Sequence, residues 1–174
     1  MAFSFNILIK ENEVGKKIHE RITPNSLKRL LNFYPPYLGA GVKVEYISGD
    51  WKEMRISMKL RWYNRNIVGT HFGGSLYSMV DPHLMLMLMQ LLGSDYIVWD
   101  KSASINFIRP GTGRVSATFL IPDEVIEAIK EGVERKNKFL PEFNVAVIDE
   151  NDKIVAKIEK TLYVRRKAKL FKKT

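Results

Sequence analysis

Between Gly74 and Gly93 the chain runs Ser75-Leu76-Tyr77-Ser78-Met79-Val80-Asp81-Pro82-His83-Leu84-Met85-Leu86-Met87-Leu88-Met89-Gln90-Leu91-Leu92. Such a stretch predicts a helix from Gly74 to Leu92 with Gly93 as its C-cap. It is apolar nearly all the way round, so other structure has to surround it on every side. Its longest apolar run, Leu84 to Leu92, is interrupted by Gln90 and falls far short of the roughly 20 residues that a membrane span requires. The segment therefore predicts a core helix and no membrane span. Pro82 inside it is expected to bend the helix or remove one hydrogen bond.

The material available to surround that helix is mostly extended. Val42 to Ile47 and Met54 to Trp62 alternate apolar and polar residues around the turn Ser48-Gly49-Asp50, which predicts a hairpin with one wet face. Ile97 to Phe107, Arg114 to Leu120, Phe143 to Ile148 and Ile154 to Val164 supply four more strands. The turn Arg109-Pro110-Gly111-Thr112-Gly113 is expected to join the first two of these as a hairpin. A helix is predicted from Pro122 to Lys136, with Asp123, Glu124 and Glu127 near its positive end. Upstream, apolar positions from Val14 to Leu31 predict two short helices restarted at Thr23-Pro24, and Phe33 to Gly39 reads as an aromatic loop. The resulting class is α+β: a curved antiparallel sheet of about six strands wrapped around a long central apolar helix.

At 174 residues the chain has the size of one domain, with 1–38 as N-terminal helices and loop, 42–164 as the core and 165–174 as a basic tail. The net charge of +9 suggests polyanionic partners. Its densest run, Arg165 to Lys173, lies at an end where charge is usually solvated, so no nucleic-acid binding is expected, while the phosphates of coenzyme A remain an open use. With no cysteine there is no disulfide, thiolate nucleophile or Cys-rich metal site. The N-terminus lacks a basic segment before its apolar residues, and Glu11 and Glu13 follow early, so a cytoplasmic protein is expected.

The stretch Asn66-Ile67-Val68-Gly69-Thr70-His71-Phe72-Gly73-Gly74-Ser75, with Asp81 eight residues beyond Gly73, resembles the hotdog thioesterases related to phenylacetate-pathway acyl-CoA hydrolases. Gly-Thr-His-Phe-Gly-Gly-Ser, Asp100-Lys101 and Arg109-Pro110-Gly111 resemble more closely an uncharacterised branch of that superfamily. The pattern departs from the hydrolases in that Phe72 stands between His71 and Gly73, and Pro82 directly follows the acid. The resemblance implies a hotdog fold, an acyl thioester substrate such as acyl-CoA, and a homodimer or dimer of dimers. It also implies a pocket between two central helices, with Asp81 near the Gly73-Gly74 backbone of a partner subunit.

Thioester hydrolysis needs a donor for the developing oxyanion and a group that activates water or attacks directly. Gly73 and Gly74 at a helix start offer backbone N–H groups, or else serve only a tight loop-to-helix turn. Asp81 in an apolar helix is a candidate base or nucleophile, or else a cap for backbone groups that Pro82 disturbs. Asn66 would orient water or substrate, or form its own turn. His71, Ser75, Tyr77 and Met85 are candidate substrate contacts, and Tyr77, Leu84, Met85 and Leu88 a candidate apolar wall. His71, His83 and the distant His19 have no metal-binding spacing, and neither a metal nor another cofactor is expected. Two functions stand at this point: an acyl-CoA thioesterase, and a non-catalytic binder of acyl thioesters or fatty acyl groups.

Overall fold

A computed structural model describes residues 22–167. Helix α1 spans Pro24–Asn32; Thr23 caps it by accepting from the Ser26 N–H, and Pro24 occupies the first turn, where no amide is needed. The helix expected upstream from Val14 lies outside the described residues. Phe33 to Gly39, expected as loop, mostly winds into a short helix α2, Pro35–Ala40. Its two prolines sit in the first turn, the one place where a helix tolerates them, and Gly41 ends it at φ +77°. Tyr37 anchors α2 in the core.

Six strands follow: β1 Val42–Ile47, β2 Glu53–Lys59, β3 Tyr96–Phe107, β4 Arg114–Leu120, β5 Glu142–Asp149 and β6 Ile154–Arg166. They form one antiparallel sheet in the order β1-β2-β4-β5-β6-β3. β1–β2 is the expected hairpin, and β5–β6 is another. The expected β3–β4 hairpin does not form. β3 pairs with β6 at one edge, β4 pairs with β2 and β5, and the Arg109 turn carries the chain from the edge back to the middle. β6 also runs past the expected start of the basic tail, taking in Arg165 and Arg166, and the Arg166 guanidinium lies 5.7 Å from the Tyr96 ring centre.

Arg109 fastens that crossover. Its guanidinium donates to the Asp149 carboxylate at 2.5 Å and to the Ile154 and Lys153 carbonyls, so it grips the turn between β5 and β6. Asp149 also accepts from the Asn151 and Lys153 amides. Led by the Arg109 bond, these contacts hold its carboxyl at about 2, below the usual 3.8. A depressed acid contributes stability that is present above the unfolded value and lost as pH falls through the folded one. The melting temperature of the protein should therefore exceed that of Asp149→Asn at pH 7, and the gap should close toward pH 2. A gap that stays constant with pH would rule out this ion pair as its source.

The helical segment against the sheet is broken in two: α3, Gly73–Ser78, and α4, His83–Leu92. Pro82 explains the break, because it cannot donate the hydrogen bond a continuous helix needs at that point. Met79, Val80, Leu84, Met87 and Leu88 from this segment meet Met54, Ile56 and Met58 of β2, Val115, Ala117 and Phe119 of β4, and Ile158 and Leu162 of β6 in one core. Leu84 and Leu88 are therefore core residues and not a cavity wall. Helix α5, Asp123–Lys136, buries Ile126, Ile129 and Val133 along one side. Strand β3 differs from the rest: from Trp99 onward it is exposed or only partly buried, and among the described residues one of its long edges has no strand beside it. Among the described residues no helix is long and apolar enough to cross a membrane.

Candidate functional site

The loop before α3 is fixed by its own side chains. Asn66 accepts from the Thr70 amide at 3.0 Å and donates to the Thr70 hydroxyl at 2.8 Å, closing a turn around Gly69, which stands at φ +87°. His71 then crosses to the Arg109 turn. Its amide donates to the Gly111 carbonyl, and its buried ring lies 3.1 Å from the Gly113 carbonyl. Burial lowers the imidazole pKa, which keeps the ring neutral, so Nε2 carries the proton it donates to that carbonyl.

These ties frame a shallow cleft of about 440 Å³ lined by Asn66, Thr70, Gly73, Leu76, Phe107 and Pro110, among others. Both glycines have steric reasons to be glycine. A Cβ on Gly73 would stand 2.9 Å from the Phe107 ring, and one on Gly74 would stand 2.5 Å from the ring of Phe72. The two rings, each about half exposed, therefore lie over the start of α3. Ser75 is buried there, while Tyr77 and Met85 are partly buried.

Asp81 sits at the break between α3 and α4, with its side chain 39% exposed. Its carboxylate accepts from Lys160 of β6, whose side chain is 0% exposed. The same ammonium lies 3.0 Å from Asp100 of β3, 30% exposed. Backbone register brings these residues together. Inward positions on β6 run Ile158, Lys160, Leu162, Val164; Leu162 faces Asp100 and Lys160 faces Ala103. Between those pairs β3 carries an extra residue, Lys101, so Asp100 and Ala103 point to the same side of the sheet. Burial pushes the Lys160 pKa down, and its bonds to Asp81 and Asp100 outweigh that, leaving it above the usual lysine value. Burial raises the Asp100 pKa, Lys160 offsets part of the shift, and the Asp81 charge adds to it.

The backbone at the break is also anchored. Tyr37 donates from its hydroxyl to the Asp81 carbonyl at 2.7 Å and lies 3.1 Å from His83 Nε2. With the tyrosine proton committed to that carbonyl, the ring offers its own Nε2–H to the tyrosine oxygen. Complete burial, helped by the nearby Lys160 charge, pushes the His83 pKa down to about 3, so the imidazole is neutral.

The sequence-derived candidates thus fall into two groups. Asn66, His71, Gly73, Gly74 and Ser75 gather at the loop and the start of α3, while Asp81 stands at the other end of α3 with Tyr77 beside the Lys160 ammonium, 5.9 Å from ring centre to Nζ. A carboxylate, not a backbone cap, is what Asp81 presents, since its side chain bonds to Lys160. Lys160, and Asp100 as a member of the site, were not among the candidates. A signal for Lys160 was available: the alternation Ile158, Lys160, Leu162, Val164 puts a lysine on the inward face.

The six-stranded sheet closing on a broken apolar helix is a hotdog fold. Solved structures show the same architecture at low identity. A Pseudomonas aeruginosa protein described as a probable thioesterase aligns over 86% of this chain and 99% of its own, with TM-score 0.73 and 17% identity. A Chlorobaculum tepidum protein of unknown function aligns over 83% and 98%, with TM-score 0.66 and 19% identity. A Haemophilus influenzae thioesterase aligns over 85% and 94%, with TM-score 0.62 and 15% identity. No curated protein sequence matches the chain. The sequence model described as "Domain of unknown function (DUF4442)" matches residues 24–164, and the chain belongs to that family.

Proposed function

We propose that this protein hydrolyses an acyl thioester, of coenzyme A or a related carrier, at a site shared by two copies of the chain. The observation that carries the reading is the Asp81 carboxylate, held at a break in an otherwise apolar helical segment and open to solvent. A half-exposed acid in such a place is a functional-site candidate. Acting as base, Asp81 takes a proton from water while the water oxygen bonds to the thioester carbon. The C–S bond then breaks, and the leaving thiolate receives the proton. Acting as nucleophile, its oxygen bonds to the thioester carbon as the C–S bond breaks and the thiolate leaves, and water then hydrolyses the resulting mixed anhydride to the free acid and the Asp81 carboxylate. The backbone N–H groups at Gly73 and Gly74 meet the oxyanion in either case.

The order of the chain supports a shared site. Gly73 opens α3 and Asp81 lies beyond its last residue, Ser78, so the two stand at opposite ends of that helix. A second copy solves this if its α3 start faces Asp81. The unpaired edge of β3 and its exposed faces offer the surface for that copy. The positive surface of the chain suits the phosphates of coenzyme A.

Thiol release measured over a panel of acyl-CoA esters of graded chain length tests the proposal. Release that saturates with one class of ester is expected, together with a fatty acyl species in gently extracted protein by mass spectrometry. Tight acyl-CoA binding without any release would replace the enzyme by a binder.

A further inference from the structure

Lys160 is the least ordinary residue in the core. Its neighbours on the inward face of β6 are Ile158, Leu162 and Val164, and nothing in that row calls for a charge. Taking an ammonium and carboxylates out of water costs several kcal/mol per ion, and replacing buried ion clusters by apolar side chains is often neutral or stabilising. Stability alone therefore does not account for a lysine at this position.

The arrangement is also unequal in charge. One ammonium serves two carboxylates, Asp81 from the α3–α4 break and Asp100 from β3. The lysine is wholly covered, whereas both acids reach solvent, so a bound molecule would meet the acids and not the amine. Other groups facing the cluster are the Tyr77 ring of α3, and Tyr37 of α2 with His83 of α4 behind the Asp81 backbone. Both tyrosines have raised pKa values, from burial above all, and His83 is neutral, so none of the three adds a charge near neutral pH.

We propose that Lys160 is a positioning residue whose ammonium holds the Asp81 and Asp100 carboxylates side by side, charged and open to solvent, with Asp100 a second ionisable member of the site. The inference deepens the thioesterase reading and rests on it for the reaction, but not for the charge arrangement itself. Without the ammonium, two adjacent carboxylates cannot both stay ionised, and they share a proton as a pair. Without Asp100, the ammonium serves Asp81 alone, and proton uptake is disfavoured further.

Carbon-13 titration of aspartate-labelled protein reads this directly. In Lys160→Met the cluster should take up its first proton at a pH higher by about one unit or more than in the unaltered protein. Lys160→Arg should restore the original midpoint, and Asp100→Asn should move uptake to lower pH. The acidic limb of any thioester hydrolysis should follow the same three directions. A purely structural lysine would change the melting temperature and leave every midpoint in place, and that result overturns the inference. Should Lys160→Met fail to fold, the lower midpoint expected for Asp100→Asn, beside the unshifted one expected for Lys160→Arg, still decides the matter. If no thioester is hydrolysed but the midpoints move as stated, the enzyme reading falls and the charge arrangement stands. Hydrolysis abolished by Asp81→Asn but with a limb unmoved in Lys160→Met sinks this inference alone.

Discussion

Asp81→Asn should lower thioester turnover by about 10²-fold or more while acyl-CoA still binds and the protein still folds. The amide keeps the size of the carboxylate and offers an oxygen to Lys160, but it can neither take a proton from water nor attack a carbonyl. Folding survives for an electrostatic reason. Two acids share one ammonium, so removing the Asp81 charge leaves the pair Lys160–Asp100 balanced. If Asp81 served only the packing of the break, the same change would instead lower the melting temperature, by an amount corresponding to about 1–3 kcal/mol, and leave hydrolysis intact in the folded fraction. Unchanged turnover by well-folded Asp81→Asn would remove Asp81 from the mechanism.

The second large effect is one of mass. Light scattering at micromolar concentration should report at least twice the 20.1 kDa of the chain. Alternate backbone amides of β3 point away from β6, and in the assembly they would find partners on a second β3. Their exchange with deuterated solvent should therefore slow by about 10²-fold or more on going from dilute to concentrated protein, with β2 and β4 amides unaffected. A monomer at every concentration would leave Asp81 and the glycine pair at opposite ends of α3 with no second copy to join them, and the shared-site reading would fall with it.

The parts of this fold legible in the sequence were those written in local periodicity. All six strands and the late helix α5 appear where alternation and helical spacing put them, to within a few residues. What sequence could not convey was partnership. Arg109-Pro110-Gly111 announces a reversal of the chain, and a reversal between two strands reads as a hairpin. The strands part company because β3 finds β6 at the sheet edge and β4 inserts between β2 and β5. Prolines misled in a similar way at Phe33 to Gly39, where two in succession signalled loop and in fact open a helix.

The site shows the same division. Asp81 stood out because a carboxylate in an apolar helix is conspicuous in one dimension. Asp100 did not, since the extra residue Lys101 shifts the parity of β3 and hides which side it faces until the register with β6 is known. Lys160 needed both the alternation of β6 and the position of the α3–α4 break, which lie about eighty residues apart in the chain. Asn66 and His71 were attractive for their place in the motif, and their side chains are occupied in closing the loop on itself and on the Arg109 turn.

The pairing of β3 with β6 sets an order of events during synthesis. β3 emerges from the ribosome some fifty residues before the strand that completes it, and Asp81 emerges earlier still. Until β6 arrives, β3 has neither neighbour, and the two acids have no cation between them. A nascent chain that lacks β6 can thus form the β1–β2 hairpin and collapse around its methionine-rich helix, yet it holds an uncompensated pair of negative charges at the place where the site will be. A product truncated before β6 therefore carries Asp81 and Asp100 without the ammonium that pairs with them.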